Sequence, residues 1–155
     1  SDLATMPMNW LRENVTKARA NLAAEVSKFQ NRAFMEAVVS GCALVAAADG
    51  SIDASEKQKM AQFLERSEEL KHFDIRQVIE VFNKAAGDFE FDHEIGKANA
   101  LKTIGKIRGK DDQARLLIRV VCAIGAADGD FDDDEKAMVR MIAKDLGLDP
   151  SEFDL

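Results

Sequence analysis

The sequence predicts an all-α fold: a single compact domain of about seven helices containing two pseudo-repeated helix-turn-helix units. Three observations carry this. Apolar residues recur at spacings of three and four along most of the chain, the period of one helix face. Asp, Asn or Ser followed by acid or amide, and glycine after apolar runs, mark where helices start and stop. Once these helices are placed, no strand-rich region is left over.

In order, Leu11, Val15, Ala18, Leu22, Val26 and Phe29 form a first stripe, with Asn9 as its cap. A run from about Ala33 to Ala48, rich in Ala, Ser40 and Gly41, reads as a buried central helix that a neighbour can approach closely. After the Asp49-Gly50 turn, Asp53 opens a third helix that reaches about Ser67. Asp74 with Gln77 has the capping-box pattern for a fourth, which carries Ile75, Val78, Ile79 and Phe82 and ends at Gly87. Acid alternates with aromatic from Asp88 to Glu94, predicting an extended connector with Phe89 and Phe91 both anchored in the core. Asp92 then caps a fifth helix to about Arg108. A sixth runs from Lys110–Asp112 to Ala127, and a seventh from Asp132 to Gly147. Asp149-Pro150-Ser151-Glu152 marks a last helical turn.

The 155 residues fit one domain, which at this size buries roughly 70% of its unfolded surface and needs no staple. Residues 9–155 are read as that domain. Residues 1–8 lack periodicity and are read as a disordered leader or cloning remnant. Cys42 and Cys122 sit in apolar runs, with neither disulfide-framework nor zinc spacing, so a reducing, cytoplasmic setting is expected. The 28 Asp and Glu against 21 Lys and Arg give a net charge of −7. Such a body lacks the basic stripe that nucleic-acid binding requires and favours cations or basic partners. The exception is Asn9 to Arg32, where Arg12, Lys17, Arg19, Lys28 and Arg32 outweigh Glu13 and Glu25.

The most specific feature is an internal repeat. Residues 47–57 and 126–136 share seven identities in eleven positions at a constant offset of 79, on the pattern A-A-D-G-x-φ-D-x-x-E-K, with φ apolar. A pseudo-twofold helical core is implied. Much of the motif has a purely structural reading. Gly50 and Gly129 can take the left-handed conformation that ends a helix, Asp53 and Asp132 can cap the next one, and Glu56 and Glu135 can complete the capping boxes. Ile52 and Phe131 would plug the corners into the core.

Acid beyond that need remains. Asp128, Asp130, Asp132, Asp133, Asp134 and Glu135 put six carboxylates into eight residues, whereas one cap needs one. Two carboxylates ~6 Å apart repel by about 0.7 kcal/mol even at the dielectric of water, a cost that a bound cation removes. Oxygen-only donors point to Ca²⁺ first, with Mg²⁺ and Mn²⁺ next. The candidate metal residues are Asp49, Asp53 and Glu56 in the first copy and Asp128, Asp130, Asp132 and Glu135 in the second. Asp88, Asp92 and Glu94 are a further source of ligands. An EF-hand is excluded: counting from Asp128, the sixth and twelfth residues are Asp133 and Val139, and from Asp49 they are Ala54 and Met60, where Gly and Glu belong.

At DGSIDASEKQKM (49–60), SEELKHFD (67–74), FNK (82–84), FEFDHEIGK (89–97) and DGDFDDDEK (128–136), the chain resembles the TerB tellurite-resistance family, from about Asn9 to Leu155. The resemblance implies a helical fold of about seven helices, a role in bacterial resistance to tellurite and other stresses, and a non-enzymatic, metal-binding module. It also implies work with other Ter-system proteins, one of them membrane-embedded, which places the chain in the cytoplasm or peripherally at the inner membrane face. The family's acidic positions fall on Asp49, Asp53, Glu56, Asp128, Asp132 and Glu135.

The alternatives are an adaptor with no specific metal site, an enzyme, a thiol mechanism and a membrane-surface helix. An enzyme has a thin inventory here, with no tyrosine, only His72 and His93, and no nucleophile elbow. Buried cysteines without a nearby cation are inert, which disfavours a thiol mechanism. The basic first helix with Trp10 has the makings of a membrane-surface element, against which docking of its stripe on the helical body is preferred.

Overall fold

The computed structural model describes residues 15–50, 52–127 and 131–155. Seven α-helices are found among them: α1 (Val15–Val26), α2 (Arg32–Ala46), α3 (Ala54–Glu65), α4 (Ile75–Phe91), α5 (His93–Ile104), α6 (Asp111–Ala127) and α7 (Asp133–Asp145). Short 3-10 turns at Ser27–Phe29, Glu68–Leu70, Gly105–Ile107 and Pro150–Phe153 complete the order. No strand is present among the described residues.

The apolar segment predicted to be central is central. From Phe34 to Val45 every residue of α2 except Glu36 is buried, and α2 packs against α4, α5, α6 and α7. Its small residues do what their size allows: a Cβ added at Gly41 would lie 2.9 Å from Val121 Cγ2 on α6, and one added at Gly125 would lie 3.8 Å from Val45 Cγ1. Position 41 faces 121 and 45 faces 125, so α2 and α6 run parallel, in a register one residue from the repeat offset. Their C-terminal ends therefore emerge together, at the end of the core where the Asp49-Gly50 turn and the start of α7 lie.

On α1, Leu22, Ala23 and Val26 are buried, and the helix lies on α6 and the Glu68–Leu70 turn. Of the stripe, Leu22 and Val26 are docked on the helical body, and the side chains of Val15 and Ala18 are not among the described ones. Asn9, Trp10 and Leu11 fall outside them. Among the described residues no helix is long and apolar enough to cross a membrane.

The segment predicted to be an extended connector is helical. α4 runs through Gly87 to Phe91, and the chain breaks only at Asp92, whose extended backbone (φ −163°, ψ 127°) separates α4 from α5. Gly87 has helical neighbours on both sides and does not stop the helix. On a strand, residues two apart share a face; on a helix they are about 200° apart. Phe89 accordingly goes inward, at 4% exposed, and Phe91 outward, at 81%. Asp92 does cap α5 as expected, accepting the Ile95 amide at 3.0 Å, and α5 gives way to a 3-10 turn after Ile104.

Local caps set most of the other boundaries. Asn31, Asp53, Asp74, Asp132 and Asp149 each accept a backbone amide at 2.8–2.9 Å. For Asp53, Asp74 and Asp149, those amide bonds hold the carboxyl below its ordinary value of 3.8. Between the lowered values and 3.8, the unfolded chain binds more protons than the folded one. This contribution to stability is therefore complete above pH 3.8 and is lost as pH falls through the lowered values. Circular dichroism should show helix content falling below pH 3.8, with a shallower pH slope of stability in Asp74→Asn, which keeps a cap but cannot titrate.

Candidate acidic cleft between the two repeated corners

The first corner is built as its sequence requires. Gly50 takes φ +114°, a region that L side chains rarely adopt, and Ile52 plugs the elbow at 5% exposed. Asp53 Oδ1 accepts the Glu56 amide at 2.8 Å. In the second corner both halves of the capping box close: Glu135 N donates to Asp132 Oδ1 at 2.8 Å, and Asp132 N donates to Glu135 Oε1 at 3.1 Å. Phe131 packs against the core over Gly125, where a Cβ would lie 2.9 Å from its Cε2 atom. Asp128, Gly129 and Asp130 lie outside the described residues, and so does any contribution of Asp128 and Asp130 to a site.

Because α2 and α6 end side by side, the corners share one surface cleft of about 220 Å³, lined by Asp49, Glu56, Lys59, Met60, Asp132, Glu135 and the end of α2. Among the described residues, four acids from the two repeats and one lysine, Lys59, thus line the same cleft. Asp53 and Asp132 both cap the helix that follows them, but only Asp132 is among the lining residues. The carboxyl of Glu56 is raised above its ordinary 4.5, first by desolvation, then by its hydrogen bond to Asp53 and the like charges of Asp53 and Asp49. Its ionised form is therefore a cost to the fold, absent below pH 4.5 and growing as pH rises through the raised value. A cation in the cleft would offset that cost. Among the described residues, no three Asp, Glu, His or Cys side chains stand close enough together to hold a metal ion.

The further acids do not converge on the cleft. Asp88 lines a separate cleft between α2, α4 and α5, where it accepts Asn99 Nδ2 at 3.3 Å. Asp92 caps α5, and Glu94 is 81% exposed, with His93 Nδ1 3.7 Å away. Their corner nevertheless touches the first D-G turn: His93 Nε2 lies 3.3 Å from the Ala47 carbonyl, and Lys57 Nζ lies 3.4 Å from Glu90 Oε1. Burial pushes both thiols, Cys42 and Cys122, up to about 12, which keeps them protonated at neutral pH.

The sequence reading missed two buried charged residues. Glu69 is fully buried and accepts the Ser67 hydroxyl at 2.7 Å. Arg119 is fully buried on α6 and reaches the C-terminal turn. Arg119 left one signal, a lone cation in the apolar run from Leu116 to Ile124.

The family model described as "Tellurite resistance protein TerB" matches residues 35–155. The tellurium resistance protein TerB of an Alcaligenes species is 42% identical over 106 residues, covering 68% of this chain and 87% of that protein. No solved structure matches. With the matched span running from the central helix through both D-G corners to the last turn, the chain belongs to the TerB tellurite-resistance family.

Proposed function

We propose that this chain serves tellurite resistance as a non-enzymatic module whose acidic cleft takes up a divalent cation and which assembles with other Ter-system proteins, a membrane-embedded one among them. On this reading it works in the cytoplasm or peripherally at the inner membrane face. The observation that carries the cation half is the convergence of Asp49 and Glu56 with Asp132 and Glu135 on one cleft. Carboxylates drawn from two separate corners would close on an ion as an irregular, all-oxygen donor set. Ca²⁺ tolerates this better than Mg²⁺, which demands near-octahedral geometry, so Ca²⁺ is favoured over Mg²⁺ and Mn²⁺. Ligands must be deprotonated to bind, and binding should tighten as pH rises through the raised value of Glu56. The oxyanion tellurite is repelled by such a surface and is not the ligand proposed.

The adaptor reading, with no specific ion site, draws on the absence of any three assembled ligand side chains among the described residues. Calorimetry and NMR of metal-stripped protein with Ca²⁺, Mg²⁺ and Mn²⁺ separate the two. Saturable shifts at Asp49–Glu56 and Asp132–Glu135 are expected, with affinity reduced about tenfold or more in the double variant Glu56→Gln, Glu135→Gln. Glutamine at 135 keeps an acceptor for the capping box, so the loss would report the ion. Diffuse shifts that salt suppresses would leave the adaptor alone standing.

A further inference from the structure

Only three large apolar residues are exposed among the described ones: Ile75, Phe91 and Ile95. Two of them flank the same break between α4 and α5. An apolar residue just before a helix cap usually packs against the fourth residue of the helix it precedes. Here that position is Gly96, and a Cβ there would meet Phe89 at 2.6–2.7 Å. Phe89 has taken the space, and Phe91 is left in water at 81% exposed, with Ile95 at 44%. The exposed residues that flank the aromatic in sequence are acids. Glu90, Asp92 and Glu94 are exposed, and no Lys or Arg occurs between Asp88 and Ile95. Lys57 reaches Glu90, and among the described residues no Lys or Arg pairs with Asp92 or Glu94.

We propose that the Phe91–Ile95 knuckle is a docking surface for a protein partner presenting an apolar socket with a basic rim. An aromatic anchor flanked by exposed charge has the anatomy of an interface centre, the apolar group supplying affinity and the acids supplying orientation and encounter rate. Charge selects the occupant. A second copy docking the same corner would set carboxylates against carboxylates, and an anionic membrane surface repels the acids. A basic partner alone satisfies both the aromatic and its flanking acids.

This deepens the assembly half of the function proposed above and is independent of the cation half. The test is an NMR titration of the ¹⁵N-labelled chain with a short amphipathic helical peptide of leucine and lysine, and with its leucine–glutamate counterpart. Expected are saturable shifts centred on Phe91–Gly96 for the lysine peptide alone, weakening as salt rises, with affinity down about tenfold in Phe91→Ser and unchanged in Ile75→Ser. Phe91 is exposed, so its replacement leaves the fold intact, which circular dichroism checks. Shifts centred elsewhere, equal binding of the glutamate peptide, or full affinity in Phe91→Ser would overturn the proposal. So would a concentration-dependent dimer that Phe91→Ser abolishes, because the occupant would then be a second copy. Calcium titration of the same variant keeps the two readings apart, since Phe91→Ser leaves every carboxylate of the cleft in place.

Discussion

Replacing Arg119 by Ala is expected to lower the stability of the fold by about 3–5 kcal/mol, in the range for breaking a buried charged contact or emptying a large core site. The guanidinium lies 4.7 Å from the ring centroid of the fully buried Phe153, and Arg119 Nη2 donates to the Glu152 carbonyl at 3.1 Å. Arg115 Nε holds the side chain of the same glutamate at 3.0 Å. Burial pushes the Arg119 guanidinium down to about 10, so it is still charged at neutral pH. Alanine would remove the donor, the cation over the ring and most of the packed volume together, releasing the Pro150–Phe153 turn from α6. Arg119→Met keeps the stem volume and should cost less than half as much. Urea unfolding should show the midpoint falling with an unchanged slope. A midpoint in Arg119→Ala close to the parent's would mean that the turn is held by something else.

Gly96→Ala is expected to cost about 1–3 kcal/mol although Ala is the better helix former. The added Cβ would lie 2.7 Å from Phe89 Cα and 2.6 Å from Phe89 Cγ. Backbone cannot swing aside as a side-chain tip can, so α5 must move off the last turn of α4. Gly87→Ala supplies the opposite sign. It lies within α4 with nothing within 4 Å of an added Cβ, and Ala there should stabilise by about 0.5–1 kcal/mol. Thermal melts of the pair check both; equal shifts in the same direction would contradict the packing account.

The helices and their caps were legible because they are local. Asp53, Asp74, Asp92, Asp132 and Asp149 act on amides two or three residues away, and a sequence contains that distance. The stretch Asp88 to Glu94 misled because alternation has two geometric meanings: one face on a strand, opposite faces on a helix. The chain is helical there, and the pairing of Phe89 with Gly96 that follows depends on the approach of α5, which the local pattern does not contain. The site was half legible. The repeat pointed to acidic residues that share a place in the fold, and parallel packing of α2 with α6 puts Asp49, Glu56, Asp132 and Glu135 on the lining of one cleft. The same reading enlisted Asp53, which does not line the cleft, and looked to Asp88, Asp92 and Glu94, which do not line it either. Arg119 was overlooked because its carbonyl partner belongs to Glu152, far along the chain.

The parallel course of α2 and α6 has a consequence for the order in which the molecule assembles. Parallel neighbours cannot be joined by a tight hairpin; here α3, α4 and α5 intervene. The antiparallel turns and capped corners close short loops and can form early, whereas bringing Gly41 to Val121 closes one of the longest loops in the chain. The cleft comes into being only at that step, since each repeat contributes half of its carboxylates. A partly folded chain can carry two separate acidic corners, and one still emerging from the ribosome before α7 is made lacks Glu135; neither has the shared cleft. Whatever recognises the joined surface therefore recognises a finished fold.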